Sequence, residues 1–371
     1  MFALHIDTAR TWRGGQNQVL LTVLGLRALG HKAVLVAHAD GELYRRASEG
    51  PDLVPLAPRN EVDLSAAWKL SRIIRQWKPQ IVHAHDPHAV AMAGLALSFG
   101  APEPRPRLVA SRRVDFHLQA HSFSRWKYRQ VDLFIAASMA IKQILEHDGI
   151  PETQIVVVHD GIDVGKIGRL PVVDIHKEFW LPHGAPVIVN VGALVGHKGQ
   201  KHLLEAMPRL LRAIPDAHLV IFGEGELRAP LERQIKELGL EKHVLLAGFR
   251  EDVLQMMKSA DLFVISSVTE GLGSTVLEAM AMRLAVVGTR AGGIPEAVVD
   301  GETGLLVPPG DSRALADAMT RLLKAPALRR DIGEKGYARV AQHFGVARFL
   351  EETLKAYRRA AEMNLIAASL N

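Results

Sequence analysis

The 371-residue sequence contains no cysteine. That excludes disulfide frameworks, thiolate nucleophiles, zinc ribbons and iron–sulfur clusters together, and it fits a reducing compartment. Acid–base work is left to histidine, aspartate and glutamate. Long hydrophobic runs are also missing: the most apolar window, residues 89–99, falls well short of the roughly twenty residues needed to span a bilayer. The opening residues 1–7 carry no basic stretch ahead of an apolar one, so they read as a buried strand and not as a signal peptide. A soluble, cytoplasmic protein is expected, with peripheral attachment to the inner face of the membrane as its only membrane association. No low-complexity segment or short-period repeat is visible, which sets solenoids aside. The formal charge of +5 is far below that of a dedicated nucleic-acid binder, so no nucleic acid is expected as a partner.

With 48% hydrophobic and 23% charged residues the chain can bury a sizeable core, and its length predicts two domains of about 150 residues or slightly more. Short apolar runs alternate with helix-period segments throughout, the pattern of βαβ units on a parallel sheet. Strands are expected at 3–6, 33–37, 81–84, 108–111, 133–136 and 155–158, and again at 187–191, 218–222, 244–247, 262–265, 285–288 and 304–307. Two doubly wound halves follow. The glycine- and proline-rich residues 163–186 read as a linker, which predicts domains 1–168 and 169–345 with the boundary near Arg169. A helical tail, 346–371, carries Phe349, Leu350, Leu354 and Tyr357 at helical spacing and needs a surface to bury against.

The strongest chemical signal follows the apolar run after Asp261, where the chain reads Thr269-Glu270-Gly271-Leu272-Gly273-Ser274-Thr275, then Glu278 three residues on. Glycines in a strand-to-helix turn let the backbone approach a ligand, and the free N–H groups opening the helix form an anion site. Two carboxylates, Glu270 in the loop and Glu278 one turn into the helix, flank it at different heights and can accept hydrogen bonds from sugar hydroxyls. A nucleotide sugar presents that combination of phosphate and hydroxyls.

This stretch resembles the E-G-x-G-x-x-x-x-E motif of the family 4 glycosyltransferases of the GT-B fold. Gly14-Gly15-Gln16, Leu29-Gly30-His31, Ile81-Val82-His83-Ala84-His85, Val158-His159-Asp160-Gly161, the segment from Gly192 to Gly199 and Ala291-Gly292-Gly293-Ile294-Pro295-Glu296 match in the same order. The resemblance implies two facing Rossmann-like α/β domains, an N-terminal acceptor domain and a C-terminal donor domain, with a C-terminal helix crossing back. It further implies retaining, metal-independent transfer of a hexose-type sugar from a nucleotide diphosphate, a UDP-sugar first, to a glycan or lipid-linked hydroxyl in cell-surface glycan or lipopolysaccharide assembly. No cofactor and no metal site are expected.

Carried over residue by residue, Lys198 matches the phosphate-binding lysine, Glu270 the carboxylate on the transferred sugar and Glu278 the one on ribose. Gly271, Leu272, Gly273, Ser274 and Thr275 match the loop around sugar and phosphates, Gly15 a backbone N–H on the diphosphate, and Arg250 the position whose backbone reads the base. Gly192 opens the phosphate loop. Ala193 stands where the family often has arginine, and Arg113 where many members have a histidine. Because arginine cannot serve as a base, Asp115 becomes the first candidate for the acceptor hydroxyl, with His85 and His117 behind it. His83 and His85 alternate on a predicted strand, so at most one is expected to face the cleft. Two other readings stand beside this one: a nucleotide-sugar 2-epimerase on the same fold, and a weakened nucleotide-sugar or glycan-binding protein.

Residues 104–130 hold seven basic residues, Arg105, Arg107, Arg112, Arg113, Arg125, Lys127 and Arg129, against one acid, Asp115, with Phe116, Phe123, Trp126 and Tyr128 interleaved. Such a composition suits an anionic membrane surface or a phosphorylated lipid-linked acceptor.

Overall fold

The computed structural model describes residues 1–48, 52–119 and 121–368; Ala120 of the basic stretch and residues 369–371 of the tail lie outside them. The chain divides into two units, Met1–Gly161 with Val346–Asn371, and Ile162–Gly345. Each is a parallel sheet covered by helices on both faces.

The first unit carries β1 (Phe2–Asp7), β2 (Lys32–Ala37), β3 (Leu53–Pro55), β4 (Ile81–Ala84), β5 (Arg107–Arg112), β6 (Leu133–Ala136) and β7 (Ile155–Val157), in the order β3-β2-β1-β4-β5-β6-β7. Side chains alternate between its faces. Leu4, Ile6, Val82 and Ala84 pack with the Leu64–Trp77 and Pro87–Ser98 helices, whereas Ala3, Leu35, Ile81 and Val109 pack with the Gly14–Ala28 helix and the C-terminal Val346–Ala368 helix. The tail thus finds its surface. Gly25 makes room for it, because a Cβ there would stand 2.3 Å from the Leu350 side chain.

The second unit carries β8 (Val187–Val191), β9 (His218–Phe222), β10 (Val244–Gly248), β11 (Leu262–Ile265), β12 (Val286–Thr289) and β13 (Leu305–Val307), ordered β10-β9-β8-β11-β12-β13. Both units are doubly wound sheets, in which ligands bind beyond the carboxyl ends of the strands where the strand order reverses, here beside β1/β4 and β8/β11.

Two features differ from the sequence expectations. The division falls after Gly161, not near Arg169. Residues 163–186 are not a free linker: Ile162, Ile167 and Ile175 are buried in the core of the second unit, and Lys258 Nζ bonds the carbonyls of Gly168 and Leu170. β3 was not anticipated, since two half-buried residues and an exposed proline make an edge strand without a readable period.

Candidate active site

In the second unit, Lys198 and Glu270 come together although 72 residues separate them. Lys198 Nζ donates to Glu270 Oε2 at 2.6 Å, and the Ser267 hydroxyl donates to the same oxygen at 3.0 Å. Glu270 Oε1 has no hydrogen-bond partner among the described residues, so one acceptor oxygen is left for a ligand hydroxyl. The loops holding the pair are fixed by backbone. Ser266 Oγ donates to the Lys198 carbonyl, Val268 N to the His197 carbonyl at 2.7 Å, and Gly199 (φ +63°) lies so near Ser266 that a Cβ would meet its carbonyl at 2.2 Å. On the other side, Gly292 (φ +49°) would place a Cβ 1.7 Å from the Glu270 carbonyl. The Ala-Gly-Gly turn is therefore a rest for the Glu270 loop that only glycine permits. Gly192 runs under the Lys198 side chain, where a Cβ would make ordinary contact with Lys198 Cδ at 3.7 Å.

Gly273 (φ +85°) precedes the Ser274–Ala281 helix, and no side chain caps that helix. Its opening amides, with the positive end of the helix dipole, face the turn where Ser274 and Thr275 stand partly exposed, and Leu272 is buried beneath. Glu278, one turn in, has no hydrogen bond or ion pair to its carboxylate among the described residues, and burial pushes it up to about 7. A partnerless carboxylate that sheds its proton near neutrality is well placed to accept from a ligand hydroxyl. Arg250 follows β10. Its guanidinium is held by Asp252 at 2.8 Å and Glu178 at 2.7 Å, which leaves its backbone as the means of reading a ligand.

The first unit presents a polar cluster beyond β1 and β4. His5 Nδ1 and His85 Nε2 are 3.0 Å apart, Arg113 Nη1 lies 3.4 Å from His85 Nδ1, and Arg113 Nε donates to Asp160 Oδ1 at 2.9 Å. His83 bridges the Tyr357 hydroxyl at 2.6 Å and the Ser111 hydroxyl at 2.8 Å. The rings of His83 and His85 are only 3.9 Å apart. Residues two apart share a strand face, so the two imidazoles stand together and not on opposite faces of the sheet. Burial, followed by neighbouring cationic groups, holds His5 down to about 3 and the other two imidazoles well below their ordinary value, so all three are neutral. Their nitrogens lie within 4.8 Å of one another, a spacing a metal ion could use; His83 spends both nitrogens on Tyr357 and Ser111, and the Arg113 cation adjoins His85. Asp7, beside them, is pushed up to about 7 by burial and by Asp86.

Sequence reasoning singled out neither His5, Asp7 nor Tyr357 as site residues; Tyr357 sits 274 positions from its partner. The structure joins Arg113 to His85 but sends His117 elsewhere, to Asp148 at 2.6 Å. Asp115 bonds neither His85 nor Arg113, and its Oδ2 is buried without a partner among the described residues. At Gly15, near the start of its helix, a Cβ would meet nothing within 4 Å, so packing does not demand glycine there.

The basic stretch is mostly spent inside the unit. Arg105 and Arg107 pair with Asp132, Arg113 with Asp160 and Lys127 with Glu61, while Arg112 is buried and donates to the Phe116 carbonyl. Arg125 and Arg129 alone of the seven remain exposed without an ion-pair partner among the described residues. The acids that pair with Arg105, Arg107, Arg113 and Lys127 lie outside 104–130 and Arg112 is buried, so the local excess of charge is not a surface charge of that size. No helix among the described residues is long and apolar enough to cross a membrane.

Two doubly wound units, one bearing a lysine–glutamate pair on a glycine-built loop before an uncapped helix, define a GT-B glycosyltransferase architecture. Comparison with known proteins agrees. Residues 12–166 match the family described as Glycosyltransferase Family 4, and residues 173–339 match Glycosyl transferases group 1. The chain is 30% identical over 323 residues to EpsD of Bacillus subtilis (strain 168), which carries a glycosyltransferase assignment, covering 84% of each. It is 34% identical over 177 residues to the lipopolysaccharide core biosynthesis glycosyltransferase LpsE of Rhizobium meliloti (strain 1021), covering 48% of this chain and 51% of that protein. Its fold matches Anabaena HepE, solved in complex with UDP-glucose, with a TM-score of 0.83 at 24% identity over 96% of this chain and 100% of that one. The chain belongs to the group 1, family 4 glycosyltransferases.

Proposed function

We propose that the protein is a retaining hexosyltransferase that uses a UDP-sugar and glycosylates a hydroxyl of a glycan or lipid-linked acceptor in cell-surface glycan or lipopolysaccharide assembly. The observation that carries this is the Lys198–Glu270 pair beside the uncapped helix and the partnerless Glu278. The HepE complex with UDP-glucose supports the donor, and the likeness to LpsE supports the pathway.

Lys198 and the amides at Ser274 and Thr275 hold the diphosphate, Glu270 Oε1 accepts from a sugar hydroxyl, and Glu278 accepts from ribose. The backbone at Arg250 meets the base. The acceptor oxygen attacks the anomeric carbon from the side the nucleotide leaves, the bond from that carbon to the diphosphate oxygen breaks, and the acceptor proton passes to the departing phosphate. Nucleoside diphosphate leaves with that proton. Lys198 stabilises the charge that develops on the phosphate, the electrostatic contribution that usually dominates. With the phosphate taking the proton, no strong base is required. Asp115, with one unpartnered carboxylate oxygen, orients the hydroxyl. Arg113 and His85 form part of the acceptor wall, whereas His117 is held away from it by Asp148.

No bound metal enters this scheme, so transfer persists in excess EDTA. The test is a purified assay in which UDP-sugars are offered with acceptor and the anomeric configuration of the product is read by NMR. Retention supports the reading, and an inverted product or release of free epimerised sugar defeats it.

A further inference from the structure

The fold leaves one helix face with a chemistry that the sugar-transfer site does not use. The Leu64–Trp77 helix buries Ala66, Ala67, Leu70 and Ile74 against the first sheet and turns its other side to solvent. That side carries Lys69, Arg72 and Arg75, and the helix contains no acid. Lys69 and Arg75 have no ion-pair partner among the described residues, and Arg72 stacks over Trp68 at 5.1 Å. At its start, three large apolar side chains stand in water: Val62 is 53% exposed, Leu64 58% and Trp68 49%. Burying none of these would be a poor use of a helix that already has a complete inner face.

The same layer continues through the buried Pro87–Ser98 helix to the Ser122–Arg129 helix, whose Tyr128 packs on the same core and whose Lys127 reaches Glu61 just ahead of Leu64. There Arg125 and Arg129, the two unpaired cations of the 104–130 stretch, line a groove of about 610 Å³ with Ser122, Trp126 and Gln130.

We propose that this face, the outer side of the Leu64–Trp77 helix with Arg125 and Arg129 farther along the same helical layer, docks the protein on an anionic lipid bilayer. Cations attract the headgroups, Leu64, Val62 and Trp68 enter the interface, and the arginine groove takes a phosphoryl headgroup. Charge complementarity selects the partner: five cations and no acid on the two exposed helix faces suit a negatively charged sheet, and an apolar tip beside them suits one with an oily layer under its charge. A nucleic acid would satisfy the cations and leave the apolar tip in water. The proposal deepens the reading of a lipid-linked acceptor and moves the contact from residues 104–130 as a whole to a neighbouring helix.

The test is sedimentation of the full chain with vesicles of phosphatidylcholine alone and with about one third phosphatidylglycerol. Binding to the anionic vesicles only, weakened by salt, is expected. A basic residue near such a surface contributes about fivefold to partition (about 1 kcal/mol). The combined Lys69→Gln, Arg72→Gln and Arg75→Gln variant should therefore lose about a hundredfold, and Leu64→Ser with Trp68→Ser should lose binding at all salt concentrations. All these positions are exposed, and unchanged thermal unfolding and unchanged UDP binding would show that the donor site is intact. Wild-type indifference to anionic lipid, vesicle binding by the triple variant equal to wild type, or a preference for duplex DNA over vesicles overturns the proposal. Loss of sugar transfer to a water-soluble acceptor in the wild type would instead count against the transferase reading.

Discussion

The polar groups of the two units are set up in opposite ways. In the second unit valence is left over: Glu270 keeps one oxygen, Glu278 has no partner, and the Ser274–Ala281 helix has no cap. In the first unit the three clustered imidazoles are buried and, His5 Nε2 apart, spent on one another, on Tyr357, on Ser111 and on Arg113. Unspent acceptors and amides are what a ligand can occupy, and the proposed function therefore assigns donor recognition to the second unit. The network of the first unit fixes the shape of a wall.

The largest effect expected from this contrast is at Lys198 and Glu270. Lys198→Ala or Glu270→Ala should lower turnover about a thousandfold, as removal of one electrostatic stabiliser does, with stability little changed; normal turnover in either variant would break the contrast at once. Glu278→Gln comes next. Losing a charged acceptor should weaken UDP binding by calorimetry about tenfold or more. Its carboxyl titrates higher in the folded chain than in the unfolded one, so the stability its neutral form contributes is complete below about 4.5 and lost as pH rises through about 7. The glutamine variant should therefore be more stable than wild type at pH 8, by about 3 kcal/mol, and show no gain at pH 4.

The first unit should answer pH with the other sign. His5 is held down in the folded state, so unfolding takes up its proton below about 6.5; in an Asp7→Asn variant, which removes the neighbouring carboxyl that is raised to about 7 and works with the opposite sign, each pH unit of acidification from there towards 3 should cost about 1.4 kcal/mol. Urea titrations of that variant that show the histidine-bearing unit gaining stability between pH 6.5 and 5 would contradict this. Tyr357→Phe strands a buried imidazole nitrogen and should cost about 1–3 kcal/mol while leaving UDP affinity alone. The smallest expected change is in the stability of Gly15→Ala, within about 0.5 kcal/mol of wild type because the Cβ meets open space; any fall in turnover there would be due to the ligand.

The same contrast explains what could be read beforehand. Buried parallel strands are bare apolar runs, so twelve were legible, and β3 was not, with an exposed Pro55 after two half-buried residues. The donor loop could be read because its backbone geometry demands glycine at Gly199, Gly273 and Gly292. A network that joins His83 to Tyr357 leaves no local spacing to find. The charge of 104–130 misled for a related reason: Asp132, Asp160 and Glu61, which neutralise it, are distant in sequence or fall outside the window. The 161/162 division was masked by glycines and prolines, because three widely spaced isoleucines are a faint signal of attachment to the second core.

One feature reaches beyond the folded state. The second unit is an insertion: its ends, Ile162 and Gly345, pair side by side, and the chain then returns to complete the first. During synthesis the second unit can therefore finish before the first, although it starts later. Until Phe349, Leu350 and Tyr357 have been made, the nascent first unit has an uncovered sheet face and a histidine whose partner does not yet exist. The core of the first unit therefore closes only once the Val346–Ala368 helix has been made.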